Sequence, residues 1–394
     1  MATPLAASLS ALLLLLLGSA AGRAGAACIA PVDPPTASPS PAGSLTPTWT
    51  PTATAMPVPE VIAEALDLPA GAFGGSIEGA AVNAAGDVYA ADFQGGGAPP
   101  STAVGLVMQG DRGTERVRDP VQASRVVLSQ GALPSRPLVA GGRFLPDGGL
   151  LLTDAANGRL VQVHGAGVTV ACADAGMLQP NDVAVSPPRR VGDGVSNRTV
   201  TPTAYLSGQR YTANTTAGAS GELWSCRDGQ ASRYPPAMLA AAGIHRTNGI
   251  EVSPDGSTLY LTDAANSGGV VTTNRIFRFA IDVATGRLSK APPVLFFAWT
   301  GDDASVDADG MRVDVRGNLY VTRNGVGAVE VLSPAGALVQ VIRFPTLGGP
   351  SNVAFGGPLG GTLVAIGRCA ANSTAGCAAA YETNTVGRAW RELQ

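Results

Sequence analysis

The sequence contains few of the residues that build several common kinds of site. It has only two histidines and five cysteines in 394 residues, and no cysteine pair has the C-x-x-C spacing of zinc and redox sites. Neither His164 nor His245 is accompanied by a G-x-S-x-G segment, which excludes that class of Ser-His-Asp hydrolase. Charged residues make up only 14% of the chain, the net charge is −3, and no basic patch with interleaved aromatics occurs. Nothing therefore indicates a nucleic-acid partner.

Long apolar runs are also scarce, and the one that exists lies at the N-terminus. Residues 5–17 are apolar over a length too short to span a bilayer as a helix, and Ala24-Gly25-Ala26 offers an A-x-A cleavage site. We interpret residues 1–26 as a signal peptide. A lipoprotein attached through Cys28 is disfavoured, because Gly25 stands where a large aliphatic residue is expected. The sequence thus predicts a secreted protein that has no membrane attachment after removal of the signal.

Residues 27–60 are dominated by Pro, Thr, Ser and Ala. Nine of the thirty prolines fall in this stretch, so neither a strand nor a helix is expected to run through it. We predict a disordered, Pro/Thr-rich linker. From residue 61 to residue 394 the composition changes to short apolar-alternating runs with many glycines and little helical periodicity, which predicts an all-β domain.

One segment of this domain recurs along the chain. Residues 245–266 contain two short apolar runs separated by Ser253-Pro254-Asp255-Gly256, which has the composition of a hairpin turn. Five further segments resemble the second half of this hairpin, and successive copies end 44 to 62 residues apart. The six segments are residues 86–92, 149–154, 203–208, 258–263, 318–323 and 361–367. This number and spacing predict a six-bladed β-propeller over residues 61–394.

The repeats also share a polar position near the start of the preceding strand. Glu78 lies 14 residues before Asp92, Asn248 lies 15 before Asp263, and Asp309 lies 14 before Arg323; Asn181 is the displaced equivalent in the third repeat. Equivalent residues of the innermost strands converge on the axis of a propeller, so these four side chains are expected to meet. Two carboxylates and two amides, without His or Cys, favour Ca²⁺ over zinc, although another divalent cation such as Mg²⁺ stays open.

A second interpretation of these positions is a turn. Asn and Asp before Gly are common turn residues, and Asn248-Gly249 and Asp309-Gly310 could each be explained in that way. Glu78 is not a turn residue, however, and four polar residues at one position of the repeat favour a shared metal site.

At these motifs the sequence resembles the gluconolactonase, senescence marker protein and luciferin-regenerating enzyme family of six-bladed propellers. The motifs are residues 76–79, 179–182, 247–256, 308–314 and 351–357, and residues 205–210 resemble secreted fungal lactonohydrolases. The resemblance implies that Glu78, Asn181, Asn248 and Asp309 hold a catalytic divalent cation, and that the substrate is a small-molecule lactone or a related ester. The sequence departs from the family at Glu78-Gly79-Ala80, where Gly-Pro is more usual, and in the long segment 209–222, which leaves the substrate open.

The resulting hypothesis is metal-assisted hydrolysis of a lactone, with Asp309 as general base or as nucleophile. The candidates for substrate contact are Asn352, Asp182 and His245, which lie close in sequence to the predicted ligands or at the equivalent position of a repeat. For Asn352 a structural role is an equal alternative. For a lone histidine such as His245 a structural role is the commoner one. Two other functions stay open. One is a non-catalytic binding propeller with a structural ion, and the other is an arylesterase or phosphotriesterase on the same ion.

The cysteine pairs and the glycosylation sequons are features expected of a secreted chain. The cysteine pairs Cys369–Cys377 and Cys172–Cys226 are candidate disulfides. Three sequons, at Asn197, Asn214 and Asn372, lie in polar stretches and predict N-glycosylation.

Overall fold

A computed structural model describes residues 57–66, 68, 72–93, 103–112, 126–127, 137–165, 167–191, 198–209 and 221–394. The compact unit runs from Met56 to Gln394. The predicted signal peptide, most of the linker, and the sequons at Asn197 and Asn214 lie outside the described residues. No helix in the described segments has the length and apolar character needed to cross a membrane.

Six antiparallel sheets form the blades of a propeller, and the innermost strand of each packs against the innermost strand of the next, the sixth returning to the first. From inside to outside, blade 1 has strands Ile77–Val82, Val88–Asp92, Ala103–Met108 and Val126–Val127; blade 2 has Val139–Phe144, Leu150–Asp154, Arg159–His164 and Gly167–Ala173; blade 3 has Pro180–Val185, Ala204–Gln209, Gly221–Arg227 and Gln230–Arg233; blade 4 has Thr247–Val252, Thr258–Asp263, Arg275–Asp282 and Val294–Ala298; blade 5 has Asp307–Val313, Leu319–Asn324, Ala328–Leu332 and Leu338–Arg343; blade 6 has Leu347–Gly356, Thr362–Cys369, Gly376–Glu382 and Glu64–Leu66. The predicted six-bladed, all-β propeller is confirmed.

Smaller elements decorate the blades. Strands Arg189–Val191 and Arg198–Val200 form a hairpin within the insertion of blade 3, and blade 4 carries the short strands Asn266–Ser267, Val270–Val271 and Arg287–Leu288. A 3-10 turn spans Gly110–Arg112, and two short helices span Pro236–Ala241 and Arg388–Glu392.

The ring closes through the N-terminal segment of the domain. Strand Glu64–Leu66 pairs antiparallel with Gly376–Glu382, so the first part of the domain supplies the outermost strand of the last blade. Strand Glu60–Ile62 pairs in parallel with Leu338–Arg343 and adds a fifth strand to blade 5. On the inside of the ring, the Ser351 hydroxyl donates to the Ile77 carbonyl at 2.5 Å. A propeller closed in this way leaves only short sheet edges, those of the outermost strands, to pair with other chains.

All six repeats recognised in the sequence lie in the second strands of the blades. Three of them end in an aspartate, and its carboxylate accepts from the backbone of the loop before its own inner strand. Asp92 accepts from Gly74 N at 3.0 Å, Asp154 from Leu138 N at 2.9 Å, and Asp263 from His245 N at 2.8 Å. The repeated aspartate therefore satisfies backbone donors that would otherwise be left unpaired.

The core lies between adjacent blades, where the alternate apolar side chains of neighbouring sheets interdigitate. Between blades 5 and 6, the rings of Tyr320 and Phe355 meet edge to face with centroids 4.8 Å apart. Between blades 2 and 3, Cys172 and Cys226 lie in the apolar layer and form a disulfide with Cα atoms 6.1 Å apart. A second disulfide, Cys369–Cys377, joins two neighbouring strands of blade 6.

Candidate metal centre

Every inner strand departs from regular pairing at the same height. The register shifts between Glu78 and Ala81, Pro180 and Val183, Thr247 and Ile250, and Ala308 and Met311, and it shifts at the equivalent places of blades 2 and 6. A β-bulge leaves a residue out of the ladder and turns its side chain away from the normal alternation. The bulges thus set the direction of the predicted ligand residues.

The four predicted ligands line one pocket of about 200 Å³ at one end of the central channel. Glu78, Asn181, Asn248 and Asp309 come from the inner strands of blades 1, 3, 4 and 5. The Asn181 amide donates to the side-chain carbonyl of Asn248, so these two neighbouring blades are in direct contact through their amides. The structure thus brings together four residues that span 231 positions of the chain.

Threonines of the second strands hold the bulges in place. The Thr153 hydroxyl donates to the carbonyl of Asn181 at 2.7 Å, and the Thr322 hydroxyl donates to the carbonyl of Gly310 at 2.9 Å. Both contacts are buried, so each hydroxyl satisfies a bulge carbonyl that has lost its place in the ladder. The threonine that recurs next to the last residue of these repeats is therefore a positioning residue for the pocket.

The glycines after the ligands allow neighbouring inner strands to approach closely. A Cβ on Gly249 would lie 2.1 Å from the Asp309 carbonyl, and one on Gly79 would lie 1.9 Å from the carbonyl of Ala140. Gly79 also has a φ of +61°, whereas Gly249 requires glycine for space alone. The interpretation of these pairs as simple turns is thus wrong: Asn248-Gly249 and Asp309-Gly310 lie within inner strands at bulges.

The carboxylates of Glu78 and Asp309 repel one another in a buried site. Burial, followed by the nearby Asp309, Asp182 and Asp307 carboxylates, raises the pKa of Glu78 well above its usual range. Burial, followed by Asp307, raises the pKa of Asp309 to about 8. Both shifts have the same origin, which is negative charge concentrated where water is scarce.

Two further side chains surround Asp309. Asn324 donates through Nδ2 to Asp309 Oδ2 at 3.2 Å, and Asp307 also lines the pocket. The Asp307 carboxylate accepts from Arg246 Nη1 at 2.7 Å through Oδ2, while its Oδ1 atom is buried and has no hydrogen-bond partner among the described residues. The pocket therefore holds carboxylate oxygens with unmet capacity to accept.

The donor set fits a hard divalent cation. Carboxylate and amide oxygens are the ligands that calcium takes in proteins, and a cation among them would offset the repulsion between Glu78 and Asp309. In the described part of the chain, no group of three or more His, Cys, Asp and Glu side chains is arranged to hold a metal, so the amides of Asn181 and Asn248 are needed to complete a set. The residues present suit calcium better than zinc.

The three candidates for substrate contact lie apart from the described lining of this pocket. Asp182 is buried and pairs with Arg312 Nη1 at 3.2 Å, and Asn352 donates through Nδ2 to the same carboxylate at 3.3 Å. His245 donates its backbone N–H to Asp263, and its ring Nδ1 is buried. Their contact with substrate stays a prediction; the contacts seen here link Asp182 and Asn352 to the channel wall.

The channel beyond the pocket is filled by buried charge pairs. Arg143, Glu251 and Arg312 each lie three residues further along their inner strands than Ala140, Asn248 and Asp309. Arg143 pairs with Glu251 at 3.3 Å, and Arg312 donates to the Ala80 carbonyl at 3.0 Å. These buried groups therefore contact one another across the ring beyond the pocket.

Five residues of the site are not predicted from the sequence. Two are the positioning threonines Thr153 and Thr322, and three line the pocket: Asn324, Ser351 and Arg368. Only the threonines carried a usable signal, because they recur beside the end of the repeats. Asn324 and Arg368 directly follow the last residues of their repeats, in the two blades whose repeats end in Arg323 and Gly367 and not in an aspartate. Nothing in their local sequence indicates that they line a pocket.

Comparison with known proteins bears on the family and the fold of this chain. The model of the SMP-30/Gluconolactonase/LRE-like region matches residues 115–365. Among curated protein sequences none matches significantly. Among solved structures, a calcium-binding protein, regucalcin, from Agrobacterium tumefaciens is similar with a TM-score of 0.60 at 18% identity, covering 84% of this chain and 97% of that one.

Two other solved structures share the fold. A luciferin-regenerating enzyme has a TM-score of 0.55 at 14% identity, with 82% of this chain and 96% of that chain covered. A gluconolactonase from Xanthomonas campestris has a TM-score of 0.50 at 18% identity, with 78% and 87% covered. At these identities the likeness establishes the propeller fold. The match to the family model extends over more than half of the sequence, and the chain therefore belongs to the SMP-30/Gluconolactonase/LRE-like family.

Proposed function

We propose that this protein is a calcium-dependent hydrolase of lactones. The observation that carries the proposal is the meeting of Glu78, Asn181, Asn248 and Asp309, from four different blades, in one pocket. Family membership favours a lactonase-like reaction, and one structural neighbour is described as a calcium-binding protein. Both agree with the oxygen-only donor set.

When bound, a divalent cation supplies Lewis-acid polarisation of the lactone carbonyl, worth several kcal/mol in the transition state. Glu78, Asn181, Asn248 and Asp309 would hold it. Asp309 would take a proton from the attacking water while Asn324 donates to its Oδ2 atom. Attack on the carbonyl carbon is followed by cleavage of the ring C–O bond, and the proton passes to the alkoxide that leaves. Direct attack by Asp309 is the alternative, in which water later cleaves an acyl-enzyme ester.

The pocket lining favours a polar lactone over an aryl ester. Among the described residues that line it, Phe93 is the one aromatic side chain, and most of the others present polar or charged groups. A site that selects an aryl ring is expected to offer more apolar surface. The alternatives are an arylesterase or phosphotriesterase and a non-catalytic binding module.

A substrate panel tests the proposal. Sugar lactones, γ-butyrolactones, phenyl acetate and an aryl phosphotriester are incubated with the purified protein, with calcium and then with excess chelator. Calcium-dependent lactone hydrolysis that exceeds ester and phosphotriester hydrolysis is expected. Equal turnover with chelator would refute the metal-dependent reaction, and absence of turnover on all four classes would favour the binding module. Asp309→Asn serves as the matched control for contaminating hydrolases.

We also propose that the chain is secreted and glycosylated. Disulfides such as Cys172–Cys226 and Cys369–Cys377 persist in oxidising compartments, and Asn372 is exposed within a sequon. Expression in a eukaryotic secretory system is expected to release the protein into the medium with a mass that N-glycosidase lowers. Asn372→Gln should remove part of that mass, and retention of the chain inside the cell would contradict the proposal.

A further inference from the structure

A positively charged side chain without an acidic partner stands in the wall of the pocket. Arg368, at the end of the second strand of blade 6, is exposed and lines the pocket. Its Nη2 donates to Asn324 Oδ1 at 3.1 Å, and no carboxylate within the described segments pairs with it. Since a guanidinium has five N–H donors, Arg368 keeps several that can meet a ligand.

The position of Arg368 relative to Asp309 is set by one intervening side chain. Asn324 accepts from Arg368 and donates to Asp309 Oδ2 at 3.2 Å. Gly349, which pairs with Arg368 in the sheet, leaves the space that the guanidinium occupies, because a Cβ there would lie 2.7 Å from Arg368 Cζ. The Cys369–Cys377 disulfide joins the next residue of the strand to its neighbour. Arg368 thus lies within the reach of a small substrate bound at Asp309.

The charges of the pocket wall do not balance once the proposed cation is counted. The charged lining consists of the carboxylates of Glu78, Asp307 and Asp309 and the guanidinium groups of Arg246 and Arg368. With all three carboxylates ionised, the state that a bound cation would favour, this set carries one negative charge, and a divalent cation turns it into one positive charge. Arg246 is matched by Asp307 at 2.7 Å, so the excess positive charge falls on Arg368.

We propose that Arg368 binds an anionic group of the substrate, so that the preferred substrates are lactones that carry a carboxylate. This inference rests on the proposed function and names its substrate class. An arginine matches a carboxylate through two parallel N–H···O bonds, which gives specificity as well as affinity. A lactone ring held near Asp309 with its carboxylate on Arg368 would use both ends of the pocket.

The test uses two lactones of nearly equal shape, 5-oxotetrahydrofuran-2-carboxylate and its neutral carboxamide. With calcium present, the wild-type protein is expected to show a KM for the carboxylate about 10- to 100-fold lower than for the carboxamide, the range of a charge-assisted hydrogen bond. Arg368→Gln should raise the carboxylate KM far more than the carboxamide KM, so that the difference between the two lactones disappears, and Arg368→Lys should retain part of it. Arg343→Gln, which changes an exposed arginine outside the pocket, is the control and should behave as wild type.

Three outcomes would count against the assignment. Equal KM values for the two lactones in the wild type would overturn it while leaving lactone hydrolysis standing. An equal loss of kcat on both lactones in Arg368→Gln would show that Arg368 only positions Asn324 and Asp309. If neither lactone is hydrolysed, calorimetry with 2-hydroxyglutarate, the hydrolysis product of 5-oxotetrahydrofuran-2-carboxylate, tests the anion site separately from the reaction. Binding that is lost in Arg368→Gln would support the anion site without the reaction. Binding that is unchanged in Arg368→Gln would refute both the anion site and the proposed reaction.

Discussion

Arg388, in the C-terminal helix, donates through Nη2 to Oε1 of Glu251 at 2.5 Å, although 137 residues separate them. Glu251 also pairs with Arg143 at 3.3 Å, and Arg388 donates to Glu392 and to the Val185 carbonyl. Nearly all of these side chains are buried. The last helix is therefore joined to the buried charged groups that lie beyond the candidate metal pocket.

Removal of the Arg388 side-chain charge is expected to destabilise the fold strongly. Arg388→Met leaves Glu251 with one guanidinium partner in a buried site, and breaking such a pair typically costs about 3–5 kcal/mol. Arg343→Met is the matched control, because Arg343 pairs with Glu60 where both side chains are exposed, and exposed pairs contribute about 0–1 kcal/mol. Urea denaturation followed by fluorescence measures both. Similar losses in the two variants would show that the channel charges do not support the fold.

Acidification should weaken the same region. Burial alone would raise the pKa of Glu251, but the guanidinium groups of Arg388 and Arg143 outweigh it and lower the pKa below its usual range. A depressed pKa contributes stability that is present above the unfolded-state value, near 4.3, and is lost as the pH falls through the folded-state value. The free energy of unfolding should thus decline below about pH 4.3, by up to about 1.4 kcal/mol per pH unit for this proton.

Glu251→Gln isolates that contribution. The variant is less stable at pH 7, but its free energy of unfolding should fall less steeply than that of the wild type below about pH 4.3. Denaturant titrations at pH 7, 5, 4 and 3.5 give the slopes. Parallel slopes for the two proteins would place the acid sensitivity elsewhere.

Close contact between inner strands predicts a sharp cost for one methyl group. In Gly249→Ala the new Cβ would lie 2.1 Å from the Asp309 carbonyl, so the strands of blades 4 and 5 must separate. Overpacking of this kind typically costs about 1–3 kcal/mol, and here it should also weaken calcium binding because Asp309 moves. Gly167→Ala is the control: its Cβ meets only the His164 carbonyl at 3.4 Å, and the change should stay within about 0.5 kcal/mol. Thermal unfolding with and without calcium compares the two, and unchanged calcium stabilisation in Gly249→Ala would contradict this coupling.

The sequence predicts the blades and the positions of the candidate ligands because both follow a repeat. Six similar second strands imply a ring, and a common offset from their ends places Glu78, Asn248 and Asp309 at the axis. What the repeat cannot predict is any feature made by contacts between blades. The bulges, and the approach of Gly249 to Asp309, depend on the neighbouring inner strand and not on local propensity.

The rim of the pocket was unpredictable for a related reason. Asn324 and Arg368 touch each other across blades 5 and 6, 44 residues apart, and no periodicity connects them. His245 is a candidate because it lies three residues before Asn248, and the structure shows that its backbone N–H donates to Asp263 and that its ring nitrogen Nδ1 is buried. Its contact with substrate stays a prediction.

Asp309 and Glu78 should differ in one measurable respect. Asp309→Asn and Glu78→Gln each remove from the same buried pocket one carboxylate that a bound cation would keep ionised, so both should weaken calcium affinity to a similar degree. If Asp309 also takes the proton of water or attacks carbon, its loss persists at saturating calcium. A general base typically contributes 10²–10⁴-fold, which is about 3–5 kcal/mol in the barrier.

The measurement is kcat on a lactone across a calcium titration, with calcium binding followed independently by calorimetry. Glu78→Gln is expected to approach the wild-type kcat as calcium saturates, because its part in this site is coordination. Asp309→Asn is expected to saturate with calcium yet remain about 10²–10⁴-fold slower. Asn324→Ala gives an intermediate control, since it removes the hydrogen bond to Asp309 Oδ2 and leaves the carboxylate in place. Equal recovery of Asp309→Asn and Glu78→Gln at saturation would make Asp309 a ligand only, and the proton of the attacking water would then have to go to another group of the pocket, of which Asp307 is the nearest carboxylate in sequence.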